Sequence, residues 1–105
     1  MSKPTTYFHQ NEQIDTLVEC FGSQLEVLTI AEKLALNTTI SHWVMHQEIV
    51  GNSLGEFTLE HAFEEITCGW LERARVHQAV QILDGINERD ALGVMEALVN
   101  QLRWS

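Results

Sequence analysis

The stretch NEQIDTLVECFGSQLEVL, residues 11–28, carries the strongest structural pattern in this 105-residue chain. Its large apolar residues recur at steps of three and four, which places them on one stripe of an α-helix. These residues are Ile14, Leu17, Val18, Phe21, Leu25 and Leu28. The acidic residues on the opposite face are Glu12, Asp15, Glu19 and Glu26. The stretch therefore predicts a strongly amphipathic helix.

The apolar pattern changes towards the end of this stretch, where Val27 and Ile30 open a second apolar face. We expect a first helix over Asn11–Leu36. It either breaks near Gly22–Ser23 or at Thr29, or continues and is covered on both faces. The sequence leaves both arrangements open.

A second helix is predicted by the polar residues Asn37, Thr38 and Thr39. Their side-chain oxygens can accept hydrogen bonds from the unpaired backbone N–H groups of a helix start. The helix is expected to run from Thr39 or Ile40 to Val50. The glycine-containing segment 51–55 is then the clearest loop in the chain.

A third helix is predicted over Thr58–Asp84, with Thr58 as its cap. At 1.5 Å per residue this helix would be about 40 Å long. A domain of this size is only about 30–35 Å across. The helix is therefore expected to kink, with Gly69 the least costly position, or to protrude and be covered by a second copy of the chain.

A fourth helix begins near Asn87 and carries an apolar seam close to a heptad pattern. We expect this seam to form the interface of a homodimer. Its residues are Leu92, Met95, Leu98, Val99 and Leu102. The predicted fold is all-α: a small four-helix bundle-like domain over residues 11–105, completed by homodimerisation and preceded by an N-terminal arm, residues 1–10.

Composition narrows the possible partners. The chain has 15 acidic and 6 basic residues and a formal net charge of −9, which disfavours direct binding to nucleic acid or anionic lipid. No basic residue lies between Lys33 and Arg73, where a DNA-reading helix would need one. Two scattered cysteines and the lack of a signal peptide or a membrane-spanning apolar run predict a cytoplasmic protein.

A metal site is the one cofactor hypothesis that the histidine spacing suggests. His42 and His46 are one helical turn apart, and His61 and Glu65 have the same spacing further along the chain. Zinc usually takes four ligands of this kind. A solvent-exposed face with His–Glu pairs explains the same spacing without a metal. We therefore expect no cofactor and keep the metal site as an alternative.

Catalytic residues are not apparent in the sequence. Glutamates near Cys68 raise a thiol pKa, which is opposite to what a reactive cysteine requires. No serine lies in a G-x-S-x-G motif, and no glycine-rich phosphate loop occurs. His77 continues an apolar stripe and is expected to be a core or interface histidine with one hydrogen-bonding partner. The chain is thus expected not to be an enzyme.

The acidic surface is the remaining functional feature. It is expected to bind another, basic, protein and to cover its surface, as a small regulator or inhibitor of the anti-activator, antitoxin or immunity type does. The predicted binding residues are Glu12, Asp15, Glu19, Glu26, Glu60, Glu64, Glu65 and Trp104. Trp104 is included because tryptophan is frequent in binding hot spots. A structural subunit of a larger assembly is the other alternative.

Overall fold

Five α-helices and no strand occupy the residues that the computed structural model describes, which are 11–50, 57–67, 70 and 73–104. The helices are α1 Glu12–Phe21, α2 Ile30–Val50, α3 Leu59–Thr67, α4 Ala74–Leu83 and α5 Glu88–Arg103. The all-α prediction is confirmed, with five described helices instead of the four expected. The predicted N-terminal arm lies outside the described residues.

Helix α1 begins at a side-chain cap and ends at a glycine. The Ile14 N–H donates to Asn11 Oδ1 at 2.7 Å, and the apolar stripe buries Ile14 and Phe21. Gly22 then has a φ of +97°, a left-handed conformation in which any side chain is strained. The predicted helix over Asn11–Leu36 is therefore wrong as a continuous element, and the first of its two expected break points is where α1 ends.

Helix α2 begins well before the predicted start at Thr39 or Ile40. Thr29 and Glu32 form a reciprocal capping box. The Glu32 N–H donates to Thr29 Oγ1 at 3.1 Å, and the Thr29 N–H donates to Glu32 Oε1 at 2.8 Å. Because these two bonds satisfy N–H groups that a helix start leaves unpaired, the helix can begin here.

The polar residues predicted to start the second helix lie inside α2. The hydroxyl of Thr38 donates to the carbonyl of Leu34, and that of Thr39 to the carbonyl of Ala35, both at 2.8 Å. Bonding back to a carbonyl four residues earlier leaves a threonine compatible with a helix interior. The prediction of a helix start here is wrong for this reason.

The predicted third helix is two helices, α3 and α4. The Thr58 cap is confirmed, because Thr58 Oγ1 accepts the His61 N–H at 3.2 Å. Arg73 Nη1 donates to the carbonyl of Thr67 at 3.3 Å, so a side chain from the start of α4 satisfies a backbone acceptor at the end of α3. The prediction of one continuous helix over Thr58–Asp84 is therefore wrong, and Gly69, the expected position of a kink, lies outside the described residues.

Helix α2 is central to the packing: α3, α4 and α5 all pack against it, and α1 packs against α4. Asn87 caps α5 as predicted, accepting the Asp90 N–H at 2.8 Å. The largest fully buried core residues are Ile14, Leu17, Leu25, Leu36, Ile40, Leu59, Phe63, Val76, Val80, Leu83, Val94 and Leu98. None of the described helices combines the length and apolar content needed to cross a bilayer.

Candidate protein-binding surface

Three carboxylates, Glu12, Asp15 and Glu19, are exposed on α1 and are called the α1 acidic row. They follow one another at steps of three and four residues, so the helix presents them together, away from its buried stripe. Negative charge in the first turn, from Glu12 and Asp15, also interacts favourably with the helix dipole. Among the described residues, no cation contacts the carboxylates of Glu12 and Glu19.

The first turn of α1 is fixed to the corner between α4 and α5. Asn11 Nδ2 donates to Asp90 Oδ2 at 2.6 Å, and Gln13 Nε2 donates to the Asp84 carbonyl at 2.8 Å. These contacts join residues about 70–80 positions apart in the sequence. The α1 acidic row therefore projects from a helix that is held at its start.

Glu26 lies apart from the α1 acidic row, in the corner between α1 and α2. Its Oε1 accepts the Gln24 N–H at 2.7 Å. A Cβ atom added at Gly22 would overlap the Glu26 carboxylate, so that carboxylate occupies the space that the glycine leaves. Glu26 thus has a role within its own loop.

The glutamates of α3 are each paired inside the molecule. Glu60 Oε1 lies 2.8 Å from His77 Nε2, and Glu64 Oε2 lies 3.5 Å from Arg73 Nη1. Glu65 Oε1 lies 3.4 Å from His42 Nε2. A cationic partner would have to compete with these contacts. The predicted acidic binding residues therefore lie in different environments, the exposed α1 acidic row and a set on α3 that is paired inside the molecule.

The four residues of the alternative metal site, His42, His46, His61 and Glu65, do not converge on a common point. The ring of Phe57 lies among the imidazoles, with its centroid 3.9 Å from that of His46 and 5.4 Å from that of His42. Across the described ranges, no three His, Cys, Asp or Glu side chains are grouped to hold a metal ion. The ring of Phe57 thus packs beside these histidines, and the metal site stays an alternative prediction.

His61 has a local role at the start of α3. Its Nδ1 accepts the Thr58 N–H at 3.2 Å while its own N–H donates to Thr58 Oγ1. An imidazole thus takes the place that a glutamate usually holds in a capping box.

His77 stacks on Phe63 with ring centroids 5.0 Å apart and bonds to Glu60. The expected hydrogen-bonding partner is present, but His77 is half-buried, with 34% of its side chain exposed, and does not belong to the core. The sequence pattern did not identify Glu60 as the partner, since the two residues are 17 positions apart and on different helices.

Residues of the predicted α5 interface occupy different environments. Leu98 is fully buried within its own subunit, Met95 and Leu102 are half-buried, and Leu92 and Val99 are exposed. Trp104, just after α5, is 56% exposed, with the Arg103 guanidinium carbon 6.0 Å from its ring centroid. A partner can reach Leu92, Val99 and Trp104 directly, and Leu98 only through unfolding of the core.

A further apolar surface lies on the outer face of α2. The sequence predicts its first part as a second apolar face but does not extend that face to Met45 and Ile49. Ile30, Leu34, Met45 and Ile49 are all exposed there. Dividing this segment into two helices hid the pattern, since residues 30 and 34 were assigned to one helix and residues 45 and 49 to another. A single helix over Ile30–Val50 places all four on one side.

A cleft of about 490 Å³ lies between the start of α2 and the start of α4. Its lining residues are Thr29, Ala31, Glu32, Trp70, Ala74 and Arg75. The buried carboxylate of Glu32 accepts from Arg75 Nε at 3.0 Å, and Arg75 Nη1 donates to the Val27 carbonyl at 3.2 Å. These polar groups are engaged in holding the two helices together.

Two ionisable groups have shifted pKa values, and both have structural causes. Burial lowers the pKa of the Lys33 ammonium, with a partial opposing effect of the Glu26 charge, and Lys33 Nζ donates to the Gln24 carbonyl at 3.0 Å. The pKa of Glu88 is raised, first by a hydrogen bond to Glu48 and then by desolvation and by the negative charge of Glu48. Neither group lies on the α1 acidic row.

Exposed carboxylates on α1 and exposed apolar side chains on α2 and α5 are thus candidate surfaces for a partner among the described residues. Comparison of the chain with protein-family models, curated proteins and solved structures finds no match.

Proposed function

We propose that this protein is a small acidic binding module, without catalytic activity of its own, that regulates or inhibits another protein by covering a basic surface on it. The observation that carries the proposal is the α1 acidic row: three exposed carboxylates on a helix whose first turn is anchored. Their spacing suits a row of Lys or Arg side chains on a partner. Anti-activators, antitoxins and immunity-type inhibitors work by this kind of occlusion.

The α1 acidic row supports this function better than the α3 glutamates do. Displacing His77 from Glu60 or Arg73 from Glu64 would remove existing contacts before a partner made new ones. The carboxylates of Glu12 and Glu19 meet no such competition from described residues. We therefore assign the first contact with a basic partner to α1, with Trp104 as an additional aromatic anchor.

Affinity capture from extracts of the source cell tests this function. The immobilised wild-type protein is expected to retain one dominant basic protein at low salt and to release it as salt increases, because screening weakens exposed ion pairs. A triple variant, Glu12→Gln, Asp15→Asn and Glu19→Gln, is expected to retain at least about tenfold less.

A matched control keeps the same loss of charge at other positions: Glu48→Gln, Asp84→Asn and Glu96→Gln, all on exposed residues. It is expected to capture as much of the partner as the wild type does, within about twofold. Equal losses in the two triple variants would show that only the net charge matters. That result, or no captured protein above background at low salt, would refute the role of α1.

The proposal includes a homodimer. Of the five α5 residues predicted for its interface, only Leu92 and Val99 are well exposed, one heptad apart on the outer side of the helix. Two side chains per copy form a small contact compared with known dimers.

A structural subunit of a larger assembly is the second candidate function. The specific observation in its favour is that apolar side chains are exposed on two different helices, α2 and α5. Two separate exposed apolar faces allow one chain to pack against more than one neighbouring chain. Light scattering that finds a particle larger than a dimer would favour this function over the regulator.

A further inference from the structure

The outer side of α2 is apolar along most of its length. Ile30, Leu34, Met45 and Ile49 are 55%, 50%, 51% and 74% exposed. Together with the exposed residues Thr38 and Ser41 between them, they are called the α2 stripe.

The spacing of the α2 stripe makes it straight. Successive members are separated by 4, 4, 3, 4 and 4 residues. Residues 11 positions apart, such as 30 and 41, point in nearly the same direction because 11 residues complete almost three whole turns. From Ile30 to Ile49 the stripe runs about 29 Å along the helix.

The opposite side of α2 already belongs to the core, where Leu36 and Ile40 are buried. A helix that is apolar on both sides is typically covered on both sides. We therefore expect the α2 stripe to be covered by a second protein surface.

We propose that a second copy of this chain covers the α2 stripe, with the two α2 helices antiparallel about a two-fold axis that passes between positions 39 and 40. Such an interface uses the same surface on both copies and must be complementary to itself. Among residues 30–49 of α2, every exposed residue has an exposed counterpart at the same distance from this axis. The pairs are Ile30 with Ile49, Ala31 with Glu48, Leu34 with Met45, and Thr38 with Ser41.

The chemistry of these pairs is what favours a second copy. The positions along one exposed face of a regular helix are close to symmetric about the middle of that face in any sequence, but the residue types need not match. Here large apolar residues face large apolar residues at both ends, and two small hydroxyl residues face each other at the centre. Small residues at the centre let two helices approach closely where they cross.

Burying the centre of the stripe in the dimer would not leave the Thr38 hydroxyl without a hydrogen-bonding partner. Its hydroxyl already donates to the Leu34 carbonyl within the same helix at 2.8 Å. A hydroxyl that keeps its hydrogen bond can be buried without the penalty of an unpaired donor.

Charge also favours a second copy at this position. Two molecules of net charge −9 repel each other, so they are expected to meet where carboxylates are scarce. Glu48 is the one charged residue among the exposed residues 30–49 of α2, and in the proposed dimer it lies opposite Ala31 of the second copy. A basic partner, in contrast, would gain no attraction from the α2 stripe.

The area is sufficient for a weak but specific dimer. With about half or more of each large side chain exposed, the stripes of two copies bring together on the order of 1,000 Å² of surface, near the lower limit of specific interfaces. This inference rests on the homodimer of the proposed function and is independent of the α1 acidic row.

Analytical ultracentrifugation of the full chain tests the α2 stripe. The wild type is expected to reach twice the 12.0 kDa chain mass with rising concentration. Leu34→Glu and Met45→Glu are each expected to weaken the dimer at least about 100-fold, because each places charges in the apolar contact. Both residues are exposed, so the circular dichroism spectrum and thermal unfolding of each variant, measured at a concentration where the wild type is monomeric, are expected to match the wild type.

The matched control is Leu92→Glu, which introduces the same charge at an exposed leucine of α5 and is expected to leave the dimer intact. A monomeric Leu92→Glu variant beside dimeric α2 variants would move the interface to α5 and overturn the proposal. A wild type that stays monomeric at all concentrations would also overturn it. If the monomeric wild type still captured a basic protein, the binding function assigned to the α1 acidic row would remain supported.

Crosslinking tests the antiparallel register in a chain that carries Cys20→Ser and Cys68→Ser. In the proposed register, Ser41 is offset by about 4.5 Å along the helix from Ser41 of the second copy. Leu34 is offset by about 16 Å from Leu34 of the second copy. A short bismaleimide is therefore expected to link Ser41→Cys to itself. It should link Leu34→Cys only in a mixture with Met45→Cys. Self-linking of Leu34→Cys would indicate parallel helices and overturn the proposed register.

Discussion

Shortening Leu98 to alanine tests whether the α5 seam belongs to the core of the subunit. Leu98 is 0% exposed and lies in the same core cluster as Ile40 and Val94. Removing three buried carbons costs about 2.4 kcal/mol at about 0.8 kcal/mol for each. The cavity that remains raises the expected loss to about 3–5 kcal/mol. Because a domain of this size is typically stable by only about 5–15 kcal/mol, the variant should be close to unfolding at 37 °C.

The neighbouring Val99→Ala variant is the control. Val99 is exposed, so the expected loss is about 0.5 kcal/mol or less. Urea unfolding followed by circular dichroism, at two protein concentrations about a hundredfold apart, compares the two variants. A Leu98→Ala loss as small as that of Val99→Ala would refute the core assignment. So would a loss that disappears at the lower concentration, since that would be the behaviour of a dimer contact.

Three further perturbations address the polar contacts. Glu32→Ala removes the carboxylate that accepts hydrogen bonds from the Thr29 N–H in the α2 capping box and from Arg75. It is expected to lower the free energy of unfolding by about 1–3 kcal/mol. An unchanged urea midpoint would contradict this role. Burial lowers the pKa of Lys33, so the native state binds fewer protons than the unfolded state just below pH 10.5, and stability is expected to rise with pH there. Lys33→Met should abolish that rise, and an unchanged pH profile would count against it. Glu48→Gln removes the carboxylate that raises the pKa of Glu88, so an NMR titration should find the Glu88 pKa shifted down towards 4.5. Stability of the wild type should fall as pH rises from 4.5 through the raised Glu88 pKa, and this fall should be smaller in the variant.

Helix starts were predictable where a cap acts on its own nearest neighbours. Asn87 and Thr58 each accept a backbone N–H three residues ahead, and both were identified from residue type and position alone. The same reasoning failed at Thr38 and Thr39, because a hydroxyl serves equally well as a cap or as a donor to a carbonyl one turn earlier. The choice between the two depends on where the helix has already started.

The pairing of acidic residues inside the molecule was beyond the sequence for a related reason. Glutamates 60, 64 and 65 form one run in the sequence, yet their partners come from α2, from α4 and from the residue that precedes α4. Phe57 is likewise not identifiable in advance as the ring that separates three histidines. Contacts between residues distant in the chain follow from the tertiary packing, which local periodicity does not specify.

The bonds from Asn11 and Gln13 to the corner between α4 and α5 have a consequence for association rates and for inhibitor design. Because the start of α1 is pinned before any encounter, the distances between its carboxylates are set in the free protein, and binding spends little conformational entropy to arrange them. A stapled helical peptide copying residues 11–21 should therefore reproduce the spacing of the α1 acidic row, whereas an unconstrained peptide of the same sequence should be a far weaker mimic.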